Sequence, residues 1–121
     1  MTIFNGHRLI PTVTVQSPDE ADVLVKILLK AQLPIVELTL RQGFSVEAVN
    51  TLLDNENIFS GIGTITNSND LDGIHYGKAS FLVSPGSDQK VINQLNKEIA
   101  FIPGIETASE ILVNKTWVSK Q

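Results

Sequence analysis

The chain has 121 residues, 42% of them hydrophobic and 18% charged, with a formal net charge of −4. That length fits one domain over residues 1–121 with a real core, and an acidic balance without a basic cluster argues against nucleic acid or an anionic membrane as partner. Cysteine is absent and the two histidines, His7 and His75, lie far apart, which excludes disulfide and thiol chemistry and argues against a zinc site.

The N-terminal stretch MTIFNGHRLIPTVTV has neither a basic nor a long apolar leader region, and no apolar run approaches the length of a membrane span. The expectation is a cytoplasmic protein.

From there the chain alternates short β-rich runs with longer amphipathic ones. RLIPTVTV (8–15) precedes a helical pattern at 19–32, in which Ala21, Leu24, Val25 and Leu28 form an apolar stripe opposite Asp22, Lys26 and Lys30. Ser17-Pro18-Asp19-Glu20 offers a capping box with proline at the first helical position. PIVELTL (34–40) leads to a helix at 45–55, and IFSGIGTI (58–65) to a helical segment at 68–77 that Gly77 would stop. ASFLVSP (79–85) leads to a helix at 87–98, and IAFIPGI (99–105) to one at 107–117, which opens on the box Thr107-Ala108-Ser109-Glu110. Ser45, Ser68 and Ser87 are the candidate N-caps.

About five βα units of this kind call for a parallel α/β sheet with right-handed crossovers. Length favours an open five-stranded flavodoxin-like sheet, since a complete (βα)8 barrel needs roughly 200–250 residues. The second strand points the other way. In Ile35-Val36-Glu37-Leu38-Thr39-Leu40-Arg41 the alternation puts Val36, Leu38 and Leu40 on one face and Ile35, Glu37, Thr39 and Arg41 on the other. An open sheet covered by helices on both faces would bury that carboxylate and guanidinium. The mouth of an incomplete TIM barrel leaves them wet, and it is the expected architecture.

Glu37 and Arg41 are roughly 13 Å apart along a strand and so free for other partners. One reading makes Glu37 a general acid/base tuned by partial burial and Arg41 a fork for a substrate carboxylate. The other makes them a structural glutamate and a solvated arginine. Gly61-Ile62-Gly63-Thr64 closes the third strand, where glycine permits close approach and Thr64 brings a hydroxyl to the same rim. Ser84-Pro85-Gly86-Ser87-Asp88 is a turn into a helix N-terminus, and His7 and His75 read as surface or capping residues. TVTVQ lacks the acidic pair of a magnesium-binding phosphoreceiver site.

PIVELTLR, GIGTI, FLVSPG and FIPGIETASE, in this order and spacing from about Leu9 to the end, resemble the 2-keto-3-deoxy-6-phosphogluconate / 4-hydroxy-2-oxoglutarate aldolase family. The resemblance implies a (βα)8 barrel, commonly a homotrimer, and class I aldolase chemistry of the Entner-Doudoroff type that releases pyruvate and an aldehyde without metal or other cofactor. It makes Glu37 the proton-shuttling glutamate, Arg41 the holder of the pyruvate carboxylate, and Thr64 and Pro85 liners of the pyruvate site.

The family's Schiff-base lysine belongs to a sixth strand in a Lys-Phe-Phe-Pro motif, and here the sequence stops at Val118-Ser119-Lys120-Gln121. Lys26, Lys30, Lys90 and Lys97 fall on helices, Lys78 precedes the fourth strand at the end opposite the mouth, and Lys115 follows the fifth strand, so none of these is placed to substitute; Lys120, in the tail, stays open as an alternative. The expectation is therefore an aldolase relative without autonomous Schiff-base catalysis, retaining contact with a small oxo-acid such as pyruvate. Its raw strand edges imply a homo-oligomer or a complementing C-terminal fragment. A non-catalytic oxo-acid-binding or assembly module is the alternative.

Overall fold

In a computed structural model, which describes residues 4, 6–85 and 99–103, five parallel strands form one sheet: β1 (Thr12–Val13), β2 (Ile35–Thr39), β3 (Phe59–Gly63), β4 (Phe81–Ser84) and β5 (Ala100–Pro103). They lie side by side in chain order. A flavodoxin-like sheet reverses direction at a switch point and so cannot have consecutive order. The strand order therefore excludes that alternative and leaves the singly wound arrangement of part of a barrel.

The two described helices are α1 (Pro18–Lys30) and α2 (Val46–Leu53). Ser17 Oγ accepts the Glu20 N–H at 3.2 Å, and the Glu20 carboxylate reaches back to the Gln16 N–H at 2.8 Å, one residue beyond a strict capping box. α1 ends at Lys30 rather than Gln32 because Gln32 turns to φ 57°, with Gln32 N–H bonding to Leu29 O and Leu33 N–H to Leu28 O. This is a Schellman closure with glutamine in the left-handed position. Ser45 caps α2 through the Ala48 N–H at 3.1 Å, as its sequence indicates.

The third crossover differs from expectation. Residues 68–77 do not form one helix but two short 3₁₀ turns, Ser68–Leu71 and Tyr76–Lys78. Asp70 accepts the Thr66 and Asn67 N–H groups and the Thr66 hydroxyl, and such side-chain bonds compete with helical ones. Asn67, not Ser68, is the cap. The break falls at Gly73, with φ 77°, while Gly77 lies inside the second turn. The expected helices at 87–98 and 107–117, with Ser87 and Thr107, lie outside the described residues.

Alternation divides the sheet into two unlike faces. Val36, Leu38, Ile62, Leu82 and Phe101 join Ala48, Val49, Leu52, Ala21 and Leu28 in one buried cluster under the helices. Ile35, Glu37, Thr39, Gly61, Gly63 and Phe81 belong to the opposite, inner face. The N-terminal end of that face is oily: Phe81 stacks edge-on against Phe4 with centroids 5.0 Å apart, and tilted against Phe59 at 6.1 Å, beside the fully buried Ile35. The apolar plug lies at one end, and polar groups accumulate toward the other.

Candidate active site at the strand ends

Glu37 is half-buried at mid-height on the inner face, with Thr12 of β1 as its register partner on one side and Gly61 of β3 on the other. Its side chain leans toward the C-terminal end of the sheet and lies across Gly63. A methyl group placed there would come within 1.9 Å of Glu37 Oε1 and 2.8 Å of its Cδ. The glycine is thus a seat for the carboxyl. Its partner Gly61 makes the same kind of room for the Phe81 ring, 2.1 Å from where a methyl would be.

Around the carboxyl the inner face is lined with hydroxyls. Thr39 is almost fully buried, donates to Val13 O at 3.5 Å and pairs with the Thr14 hydroxyl, one pleat closer to the mouth than Thr12 and Glu37. Arg41 follows β2 by two residues and is exposed. It makes no direct ion pair with Glu37 but is near enough for its charge to act on the carboxyl. Burial is the largest influence and raises the Glu37 pKa above 4.5, opposed by Arg41 and the Thr12 hydroxyl. The net effect is a carboxyl easier to protonate than an ordinary one.

A raised folded-state pKa means that the folded chain holds more proton than the unfolded one, so stability falls as pH climbs from 4.5 through the folded value. Glu37→Gln removes that loss. Its melting temperature should exceed the wild-type value by a few degrees at about pH 8, with the gap closing toward about pH 4. Calorimetric melts across that range check this, and a gap that does not vary with pH would show that Glu37 is not the titrating group.

Thr64 directly follows β3, half-buried, with φ 63°. For a β-branched residue that is a strained conformation, and the flanking bonds impose it: Gly63 O accepts from Leu40 N–H at 3.1 Å, and Ile65 N–H reaches Val83 O at 3.4 Å. Pro85 directly follows β4 and is exposed. Arg41, Thr64 and Pro85 therefore stand after the C-terminal ends of adjacent strands, with Glu37 below them. The sequence reading missed Thr12 and Thr14. Their TVTV alternation marks a strand, but only pairing with β2 shows that both hydroxyls share a face with Glu37.

The remaining singled-out residues lie elsewhere. His75 and Lys78 both bond to Asp54 Oδ1, at 3.0 and 2.9 Å, on the solvent side of the α2 C-terminus, and Lys78 then His75 hold that carboxyl below its usual range. Lys26 and Lys30 are exposed on α1. Among the described residues no helix is long and apolar enough to cross a membrane, and no cluster of His, Cys, Asp or Glu has the geometry to hold a metal.

Consecutive parallel strands, the described helices on one side, and a half-buried carboxyl below an arginine at the C-terminal rim match part of a (βα)-barrel scaffold. The family model for KDPG and KHG aldolase matches residues 2–119, and the chain belongs to that family. It is 29% identical over 113 residues to the 2-dehydro-3-deoxy-phosphogluconate aldolase of Dickeya dadantii, covering 92% of this chain and 53% of that one. To the KHG/KDPG aldolase of Escherichia coli K12 it is 26% identical over 122 residues, covering 99% and 57%.

Among solved structures, the KDPG aldolase of Legionella pneumophila, captured with pyruvate as a covalent carbinolamine intermediate, superposes with a TM-score of 0.77 at 23% identity, covering 95% of this chain and 57% of that one. The 4-hydroxy-2-oxoglutarate aldolase/2-deydro-3-deoxyphosphogluconate aldolase from TTHB1 gives 0.72 at 26% identity, covering 92% and 56%. The chain thus spans a little over half the length of these relatives, as an incomplete barrel would.

Proposed function

We propose that this chain supplies the acid/base and carboxylate-binding wall of a class I aldolase site that handles pyruvate and its aldol adducts. Glu37 moves protons at the carbinolamine and enamine stages, Arg41 holds the oxo-acid carboxylate, and Thr64 and Pro85 line the same mouth. The observation that carries this reading is the Glu37 carboxyl, seated across Gly63, partly desolvated and beside a cation it does not neutralise by contact. The Thr12 hydroxyl bonds that carboxyl without neutralising it, which leaves it able to exchange a proton.

A class I aldolase also needs a lysine beside the acid/base to form the imine. Among the described residues Lys26, Lys30 and Lys78 all stand on the outer side, away from Glu37. None of these three can supply the imine, and Lys90, Lys97, Lys115 and Lys120 lie outside the described residues; on this reading the chain alone binds the oxo-acid without completing the covalent step. Intact-mass measurement after incubation with pyruvate and borohydride should show the unmodified chain, and a pyruvyl adduct on any lysine would overturn this part of the proposal.

Binding is tested separately by thermal shift. Pyruvate should raise the melting temperature, with about 2.7 kcal/mol of stabilisation when it is present at about a hundred times its Kd. Arg41→Ala, at an exposed position, should abolish the shift and leave the ligand-free melt within about 0.5 kcal/mol of wild type. A shift that survives Arg41→Ala would move the carboxylate site elsewhere, and no shift at all would favour a non-catalytic assembly module.

A further inference from the structure

In Thr12-Val13-Thr14-Val15 the strand period sends the valines toward the helix-covered core, Val15 buried in it and Val13 packed against it, and both threonines to the inner face. Register then decides what each hydroxyl meets. Glu37 N–H donates to Pro11 O at 2.9 Å and Ser45 N–H to Val15 O at 2.8 Å, which pins both ends of this segment and sets Thr12 beside Glu37. Thr14, one pleat nearer the mouth, is taken by Thr39. One hydroxyl serves the carboxyl and the other serves the pairing of the strands.

Glutamate is a long, flexible side chain, and the room above Gly63 admits its carboxyl without fixing it. The Thr12 hydroxyl bonds that carboxyl from the β1 side. Among the described residues, β1 brings threonines to this face and β3 brings Gly61 and Gly63, none of which titrates, so Arg41 is the charged group that acts on Glu37. An ionised carboxylate accepts hydrogen bonds, so Thr12 donates to it; a protonated carboxyl can donate, and the same hydroxyl rotates to accept. A group that gives up and retakes a proton thereby keeps one partner throughout. A lysine or arginine at position 12 has donors alone and would hold just the ionised form.

We propose that Thr12 is the positioning residue of this site: its hydroxyl holds the Glu37 carboxyl in one orientation through both protonation states, so that proton exchange starts from a fixed geometry. The hold rests on the register of β1 and β2. That the exchange is with an oxo-acid rests on the function proposed above.

The test is carbon-detected NMR titration of Glu37 in Thr12→Val and Thr12→Ser, with the side-chain proton couplings of Glu37 measured in the same samples. Valine matches threonine in branching and position 12 is exposed, so Thr12→Val should keep the fold by circular dichroism. The Glu37 midpoint should rise in Thr12→Val, because a bond that favours the ionised form is gone, and its couplings should fall toward rotamer-averaged values. Thr12→Ser should restore both. A residue that mattered as strand surface alone would give the reverse order, with valine like the wild type and serine the outlier. Thr14→Val should leave the midpoint in place, since that hydroxyl belongs to Thr39.

A midpoint that stays put in Thr12→Val, that serine does not restore, or that moves equally in Thr14→Val overturns the proposal. Failure of the functional reading is distinguishable from this: titration and couplings then respond as expected, while pyruvate raises the melting temperature of neither the wild type nor Thr12→Ser. That outcome keeps Thr12 as the holder of the carboxyl and rejects the oxo-acid.

Discussion

Phe81→Ala is expected to destabilise the fold by about 3–5 kcal/mol, the range for deleting a buried aromatic ring without collapse of its surroundings. The ring is 1% exposed and seals the N-terminal end of the inner face with Phe4 and Phe59. It lies flat over Gly61, so nothing on the neighbouring strand can fill its place. Gly61→Ala attacks the same contact from the other side. A methyl 2.1 Å from a rigid, buried ring forces either the ring or the strands apart, at about 1–3 kcal/mol.

The two changes should therefore not add. In the Phe81→Ala background the Gly61 methyl enters the vacated space, and the double variant should be more stable than the sum of single losses implies. Urea unfolding with the slope checked for constancy gives the energies. A Phe81→Ala loss below about 1 kcal/mol would mean that the ring is not part of the core.

The inner face also shows what could be read in advance. Alternation through IVELTLR separated Glu37 and Thr39 from Val36 and Leu38, because period two is local and one strand suffices to display it. GIGTI marked close approach, but what approaches Gly61 and Gly63 was hidden. The Phe81 ring and the Glu37 carboxyl arrive from the two neighbouring strands, by registers that depend on the whole sheet.

Residues 68–77 misled for a physical reason. Their apolar spacing fits a helix, yet Asp70 and Asn67 bind nearby backbone N–H groups more readily than a helix could use them. In α1 the stripe of Ala21, Leu24, Val25 and Leu28 accounted for the core and hid a second one, Val23 and Ile27.

Gly63→Ala should separate the site from the fold. Here the methyl meets not a ring but the tip of a flexible side chain, Glu37 Oε1 at 1.9 Å, with Cγ at 3.0 Å. The carboxyl can swing away into the mouth, so the loss of stability should stay below about 1.5 kcal/mol, less than for Gly61→Ala. What goes is the desolvation that raises the pKa. Released toward water, Glu37 should titrate closer to the ordinary 4.5, and the pH-dependent advantage of Glu37→Gln should disappear in the Gly63→Ala background.

Where a completing C-terminal half supplies the lysine, the acid/base role proposed for Glu37 predicts that the same change lowers the aldol cleavage rate by about 10²-fold or more. Carbon-detected NMR titration of the Glu37 carboxyl reads the first effect without any activity. An unchanged titration would show that the carboxyl does not depend on the room above Gly63, and the position assigned to the acid/base would then be wrong. A shifted titration with an unchanged rate would keep the geometry and remove Glu37 from the chemistry.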